Sequence, residues 1–391
     1  DSCYDGRWVP MKIRDVEFFG LRSSLPQPAQ FSWGSAASRN VGLVRVTTDE
    51  GVVGAGETSV TFPLWSLEER ALTVREGLRP LALGKDASDI EGLVDGLNRT
   101  LGRLAPLWSP VAIQASIGAF EVALWDVRGQ VEGLPVWQVL DGQTERRTDG
   151  YGPEGGVPLY AVGFGGGPEQ IAEQAAEALT AGYAAIKVRV GFGRERDVAL
   201  LEAVTKEIPE TTRMLVDANM AWSREEAREM VPLVASFGVG WIEEPVVWSD
   251  IEGLAALREL SSVPIAAGEN AYGRSEALRL IEAEAADVVM PDVARCGGLG
   301  NARAMIAAAR EKCLPYSPHQ YASEVGFVTC LHLCAAEPGY LHVLRDTSPW
   351  PLRHEILTEL LRIEGGRAWL PDGPGLGAEL DEATLQRYRI V

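Results

Sequence analysis

Six apolar, strand-like runs between Lys187 and His319 each carry an ionisable residue at or near their end, and this regularity narrows the possible folds sharply. AIKVRV carries Lys187 and Arg189, MLVDAN carries Asp217 and Asn219, and WIEEP carries Glu243. PIAAGE ends in Glu269, VVMPDV holds Asp292, and LPYSPH closes on His319. Asp217, Glu243 and Glu269 follow one another at steps of 26 and 26 residues, one strand–helix unit each time. A parallel barrel delivers the C-terminal ends of all its strands to one face, where the chemistry of such folds sits. Polar groups from six successive strands are therefore expected to meet at one rim.

The rest of the chain fits that frame. LYAV, AIKVRV, MLVDAN, WIEEP, PIAAGE, DVVMPDV, LPYSPH and LHVL give eight candidate strands, the last two weakly marked. Helical spacers such as PEQIAEQAAEALTAG and GNARAMIAAAREKC separate most of them, which predicts an α/β fold with a (β/α)8 TIM-type barrel over residues 144–368. Upstream, KIRDVEFFGLR alternates as a strand, and VGLVRVTTDEGVVGAGET reads as a hairpin turning at Asp49–Gly51. LWSLEERALTVREGLRPLAL reads as a helix from near Ser66 to Gly84, and Ile113, Ile117, Phe120, Leu124 and Val127 mark a second. Gly133 and Pro135 end it. These elements predict an α+β domain over residues 11–143, completed by the glycine- and proline-rich return at 369–391. The first ten residues, DSCYDGRWVP, are expected to be an extension outside the fold. The segment Gln27–Asn40, with Phe31 and Trp33, reads either as a plain surface loop or as a lid over a site in the neighbouring domain. GFGGGP at 163–168 has neither GxGxxG spacing nor the Lys-Ser/Thr of a phosphate-binding loop.

Charge and cysteine usage limit the function classes. A net charge of −19 argues against nucleic acid and anionic membranes as partners. It leaves room for an anionic small molecule, because salt screens surface charge beyond about 8 Å and the local charge of a pocket decides binding. No apolar run reaches the roughly 18 residues of a membrane span, and no signal peptide opens the sequence. Five cysteines form no CxxC pair, and Cys330 and Cys334 read as buried free thiols on one helix. A reducing cytoplasm is the expected compartment.

Converging carboxylates without a cation would repel one another severely. A hard divalent cation resolves this for Asp217, Glu243 and Glu269, and oxygen-only ligands favour Mg2+. Alternation along the strand places Glu243 and Glu244 on opposite sides, and the equal spacing selects Glu243 as the ligand. Lys187 and Arg189, two apart, share a face and suit an anionic substrate, although ion pairing with the rim acids alone is the plainer alternative. Lys187 changes protonation state when desolvated, whereas Arg189 does not at neutral pH. Asp292 accepting from one nitrogen of His319 would fix the tautomer and raise basicity at the other.

KVR at 187–189, VDAN at 216–219, WIEEP at 241–245, GEN at 268–270, PDVARCGG at 291–298 and SPH at 317–319 together resemble the enolase superfamily, within it the mandelate racemase-like subgroup. GLPVWQVLDG and PDGPGLG resemble that family's domain-closing segments. The resemblance implies an N-terminal capping domain over a modified barrel, one essential Mg2+, and abstraction of the proton α to a carboxylate. Enolase-superfamily sites use a Lys or His base with Mg2+ stabilising the ene-diolate. The family's usual Lys-x-Lys is here Lys187-x-Arg189, and where the last strand often ends in Glu, LHVLRD offers His342. The expected activity is dehydration of an acid sugar to a 2-keto-3-deoxy acid. Racemisation, epimerisation or lactone cycloisomerisation is the alternative, and a sugar-acid-binding protein without catalysis is a third. Asn219, Trp33 and His342 are expected to line the substrate pocket, and the chain is expected to form a homo-oligomer.

Overall fold

A computed structural model describes residues 11–32, 34–142 and 155–391. The expected ten-residue extension lies outside the described residues. Three antiparallel strands open the chain: β1 (Ile13–Phe31), β2 (Gly34–Thr48) and β3 (Val53–Thr58). The segment Gln27–Asn40 is largely strand. β1 and β2 extend as one long hairpin, with a register shift between Ser24 and Ala29. Its tip turns Phe31 inward, where that side chain is buried against Phe62 at a ring separation of 4.8 Å.

Helix Pro110–Glu132 packs across this sheet, capped at its start by Ser109 and ended by left-handed Gly133. It also presses on the barrel rim. A Cβ on Gly118 would stand 2.5 Å from the Gly298 amide nitrogen, so glycine at 118 permits the approach.

The second sheet is parallel. β4 (Val157–Val162), β5 (Ala185–Arg189), β6 (Arg213–Asp217), β7 (Ile242–Glu243), β8 (Ile265–Ala267) and β9 (Val288–Val289) follow in spatial order, helices between them. β10 (Val343–Asp346) pairs with β4, and a short hairpin of β11 (Ile363–Glu364) and β12 (Arg367–Ala368) pairs with the start of β4. The fold is a modified (β/α)8 barrel under an N-terminal capping domain. Its seventh position is a single bridge, Val289 to Tyr316, rather than the strand expected from LPYSPH. From there the Leu341 amide donates to Tyr316 O at 2.9 Å, leading on to β10.

Period-2 alternation sets which residues enter the barrel. Ala185, Leu215 and Trp241 pack in the interior with Tyr160, while Ile186, Val188, Val216 and Ile242 face the helices. Two residues beyond each interior position come Lys187, Asp217 and Glu243. The site sits on the interior face at the rim for that reason.

Three capping-domain carboxylates hold backbone amides of the barrel and the C-terminal return. Glu57 accepts from Ser323 and Gly326, Glu121 from Gly300, and Asp126 from Leu376. Burial outweighs these donors and raises Glu57 to about 6, Glu121 to about 7 and Asp126 to about 6. An acid whose folded pKa is raised favours the fold at low pH, and that contribution is lost as pH climbs through the folded value. Glu324, held at about 2 chiefly by Arg345 against its burial, titrates below this window. The unfolding free energy is therefore expected to fall between about pH 4.5 and pH 7, by on the order of 3 kcal/mol from Glu121 alone. His332, lowered to about 4 by burial, opposes part of that fall up to about pH 6.5. Denaturant titrations across that range check it. Glu121→Gln should flatten the slope, and a wild type that gains stability over this interval would contradict the assignment.

Candidate active site

Lys187 is the centre of charge on β5. Its Nζ lies 2.6 Å from Glu243 Oε1 and 3.1 Å from Asp217 Oδ2, with the lysine 1% exposed. Burial alone would lower its pKa, but the two carboxylates outweigh that and hold the ammonium charged. Asp217 Oδ1 accepts from the Asn219 amide at 2.8 Å, and Asn219 takes a left-handed φ of 50°. Its carbonyl receives the Ser32 hydroxyl at 3.2 Å, which ties the capping hairpin to the rim.

Glu244 breaks the expected alternation. β7 ends at Glu243, and Glu244 follows at φ 39°, so its carboxyl stays buried against the same cluster. Asn270 Nδ2 donates to its Oε2 at 2.7 Å. Burial, then the Glu269 and Asp217 charges, push Glu244 well above the usual carboxylate range.

Glu269 is the most supported of the acids. Arg295 Nη1 lies 2.8 Å from its Oε1, and His319 Nε2 lies 3.1 Å from its Oε2. Burial would raise its pKa, but His319, Arg295 and Lys187 together hold it well below the usual range. His319 Nδ1 meets Asp292 Oδ2 at 2.6 Å, and Asp292 Oδ1 accepts from the Ala294 amide at 2.9 Å. The carboxylate thus fixes the Nδ1–H tautomer and aims Nε2 into the acid cluster. Glu243, Glu269 and His319 each offer an atom within 4.8 Å of the others, a spacing that could hold a metal ion.

Arg189 faces the capping domain. Its Nη1 donates to Gln30 O at 3.2 Å, and its guanidinium lies 4.5 Å from the Phe31 ring centroid and 5.3 Å from that of Tyr321. The Tyr321 ring also carries Arg39, 3.9 Å from the centroid, whose Nη1 pairs with Asp346 Oδ2 at 2.6 Å. The end of β10 is in this way an ion pair between the two domains.

Of the expected site residues, Lys187, Arg189, Asp217, Glu243, Glu269, Asp292, His319 and Asn219 meet at this rim. His342 does not. LHVL was expected to be the strand, whereas β10 starts at Val343, which leaves His342 before the strand near Arg213 and Arg367. Burial and those two arginines lower its pKa. Asp346 occupies the rim end instead. Trp33 lies outside the described residues. Sequence reading gave no role to Arg295, Asn270, Tyr321 and Arg39, and it set Glu244 on the far side of its strand. Arg295 had a usable signal, three residues after Asp292 and one helical turn on.

Comparison with known proteins decides the family. Residues 15–141 match the mandelate racemase / muconate lactonizing enzyme N-terminal domain, and residues 170–384 match the enolase C-terminal domain-like family. The chain belongs to the enolase superfamily. Among its superfamily relatives, D-galactarolactone cycloisomerase of Agrobacterium fabrum is 27% identical over 97% of this chain and 99% of that protein. L-talarate/galactarate dehydratase of Salmonella typhimurium is 32% identical over 79% of this chain and 73% of that protein. A solved enolase-superfamily member from Polaromonas sp. JS666 superposes with a TM-score of 0.87 at 28% identity, covering 97% of this chain and 98% of that one. A racemase from Streptomyces coelicolor A3(2), solved with bound magnesium, gives a TM-score of 0.84 at 26% identity, covering 97% of this chain and 100% of that one.

The donor set of this chain fits such an ion. Asp217, Glu243, Glu244, Glu269 and Asp292 are all buried, against Lys187 and Arg295 as fixed cations. Glu243 and Glu269 offer oxygens within 4.8 Å of each other, and burial outweighs Lys187 to push Glu243 well above the usual carboxylate range. A divalent cation among oxygen donors relieves that excess. No helix among the described residues is long and apolar enough to cross a membrane.

Proposed function

We propose that this chain is a Mg2+-dependent acid-sugar dehydratase, with Asp217, Glu243 and Glu269 holding the ion. Bound there, Mg2+ supplies electrostatic stabilisation for negative charge that develops on the substrate carboxylate. Lys187 and Arg189 bring positive charge to the same carboxylate and orient it. His319 Nε2, oriented by the Asp292 contact at Nδ1, takes the proton from the carbon α to that carboxylate. The C–H electron pair moves into the carboxylate. It returns as the C–O bond to the β-hydroxyl breaks, and His319 delivers its proton to the departing oxygen, forming water. The resulting enol tautomerises to a 2-keto-3-deoxy acid.

The observation that carries this reading is the single imidazole–carboxylate dyad, His319–Asp292, aimed into the carboxylate cluster. Racemisation needs a donor and acceptor on both faces of the carbon. The remaining candidates are Lys187, whose ammonium pairs with Asp217 and Glu243, and Arg189, a guanidinium too weakly acidic to act as a base. Syn elimination requires one base only. The dehydratase among the relatives supports the same choice, and the cycloisomerase and racemase mark the alternative chemistry.

Acid sugars offered to the protein with Mg2+ in D2O, followed by NMR, test the reading. Keto acid without epimerised substrate is the expected result. Build-up of the C2 epimer without keto acid would replace dehydration by epimerisation.

A further inference from the structure

A cavity of about 510 Å³ opens sideways from Lys187 and Arg189, between the first two strand–helix units and beneath the capping hairpin. That volume is ordinary for a small-molecule site. Its polar lining consists chiefly of Gln27, Gln30, Gln174, Lys187, Arg189 and Arg196, and none of its lining residues is an aspartate or glutamate. Lys187 is already paired with Asp217 and Glu243 behind the wall. In a chain with 55 acidic and 36 basic residues, however, Arg189 and Arg196 line a cavity that holds no acid. It also adjoins the most acid-rich cluster of the fold.

We propose that this cavity receives the second carboxylate of a diacid, so that the substrate is an aldaric acid rather than an aldonic one. The inference rests on the acid-sugar reading above and narrows it. With the reacting carboxylate at the metal ligands, the remaining carbons extend past Lys187 and Arg189 toward Arg196 at the cavity mouth. Arg196 is exposed, but its position is set. Its guanidinium lies 4.4 Å from the Phe192 ring centroid. Phe192 is in turn fixed because Asp197 accepts from the Gly191 and Phe192 amides at 2.9 and 3.1 Å. Gly191 and Gly193 make that tight turn at φ 92° and 106°. Glu195 and Asp197 flank Arg196 in the chain, and Asp197 has both oxygens on these amides. Among the described residues neither acid forms an ion pair with the guanidinium, whose fork can turn to a ligand. The opposite wall is the start of helix Pro168–Thr180, whose positive end adds to the same field. Phe164 and Phe192 line the space between and lower its dielectric, which strengthens each charge–charge contact.

A neutral hydroxymethyl end would leave the Arg196 guanidinium without an anionic partner, whereas a carboxylate there gains charge-assisted hydrogen bonds. The decisive comparison is glucarate against gluconate, which differ only at C6. Wild-type kcat/KM is expected to favour glucarate by about 10–100-fold, one charge-assisted contact's worth. In Arg196→Gln that preference should collapse, with the loss for glucarate appearing in KM. The exposed helical position makes folding of this variant safe. Equal use of both acids, or an undiminished preference in Arg196→Gln, would overturn the inference and leave the dehydratase reading intact. If no acid sugar is turned over, the dehydratase reading fails separately, and calorimetry with glutarate against pentanoate still decides the cavity. Tighter glutarate binding that Arg196→Gln abolishes supports the second-carboxylate site; equal binding of the two removes it.

Discussion

Replacing His319 with asparagine is expected to lower kcat for keto-acid formation by about 10²–10⁴-fold, the range for a positioned acid–base group. The imidazole is 4% exposed, with Nδ1 on Asp292 and Nε2 toward Glu269, so it has one nitrogen for orientation and one for chemistry. Asparagine keeps a polar donor toward Asp292 but carries no base. A purely structural histidine would give a different pattern, a lower melting temperature with near-normal kcat per folded molecule. Asp292→Asn is the companion measurement. It leaves a side chain of the same shape that no longer fixes the Nδ1–H tautomer, so kcat should fall while KM moves little. Wild-type kcat in His319→Asn would remove the residue from the mechanism, and a fall seen only in KM would reassign it to binding.

The barrel rim was legible because two periodicities coincide. Strand alternation turns Lys187 and Arg189 to one face, and the 26-residue repeat brings Asp217, Glu243 and Glu269 into register. What escaped is what periodicity does not encode. Glu244 reaches the cluster through a left-handed φ just past the strand, where alternation no longer applies. His342 was misplaced because LHVL and VLRD are equally good strand words, and the hydrogen-bond register with β4 chooses the second. Gln27–Asn40 looked like loop because its polar residues have no apolar alternation. The ladder to β2 nevertheless continues through it, and Phe31 is buried at the tip. Arg39 and Asp346 are 307 positions apart, and nothing local in either segment announces their pairing.

Stripping divalent cations from the protein is expected to abolish keto-acid formation, and adding Mg2+ back should raise the melting temperature. The second effect follows from charge alone. Five buried carboxylates face two fixed cations and one imidazole, so an ion that binds only the folded chain stabilises it by RT ln(1 + [L]/Kd). At a hundredfold excess over Kd that amounts to about 2.7 kcal/mol. Glu269→Gln separates this from a general salt effect. The amide keeps the size of the side chain and can still meet Arg295 and His319 by hydrogen bonding, but it removes one anionic oxygen donor. Metal affinity should then drop by more than the ~10–100-fold that disturbing an outer partner of a ligand costs. Glu276→Gln, a carboxyl outside the cluster that accepts from the Tyr272 amide, provides the control and should keep the wild-type Mg2+ response. The thermal readout does not depend on knowing the substrate. A melting temperature indifferent to Mg2+ in the wild type, or full turnover in chelator-treated buffer, would mean that Lys187, Arg295 and trapped protons suffice to balance these acids and that the cluster works without an ion.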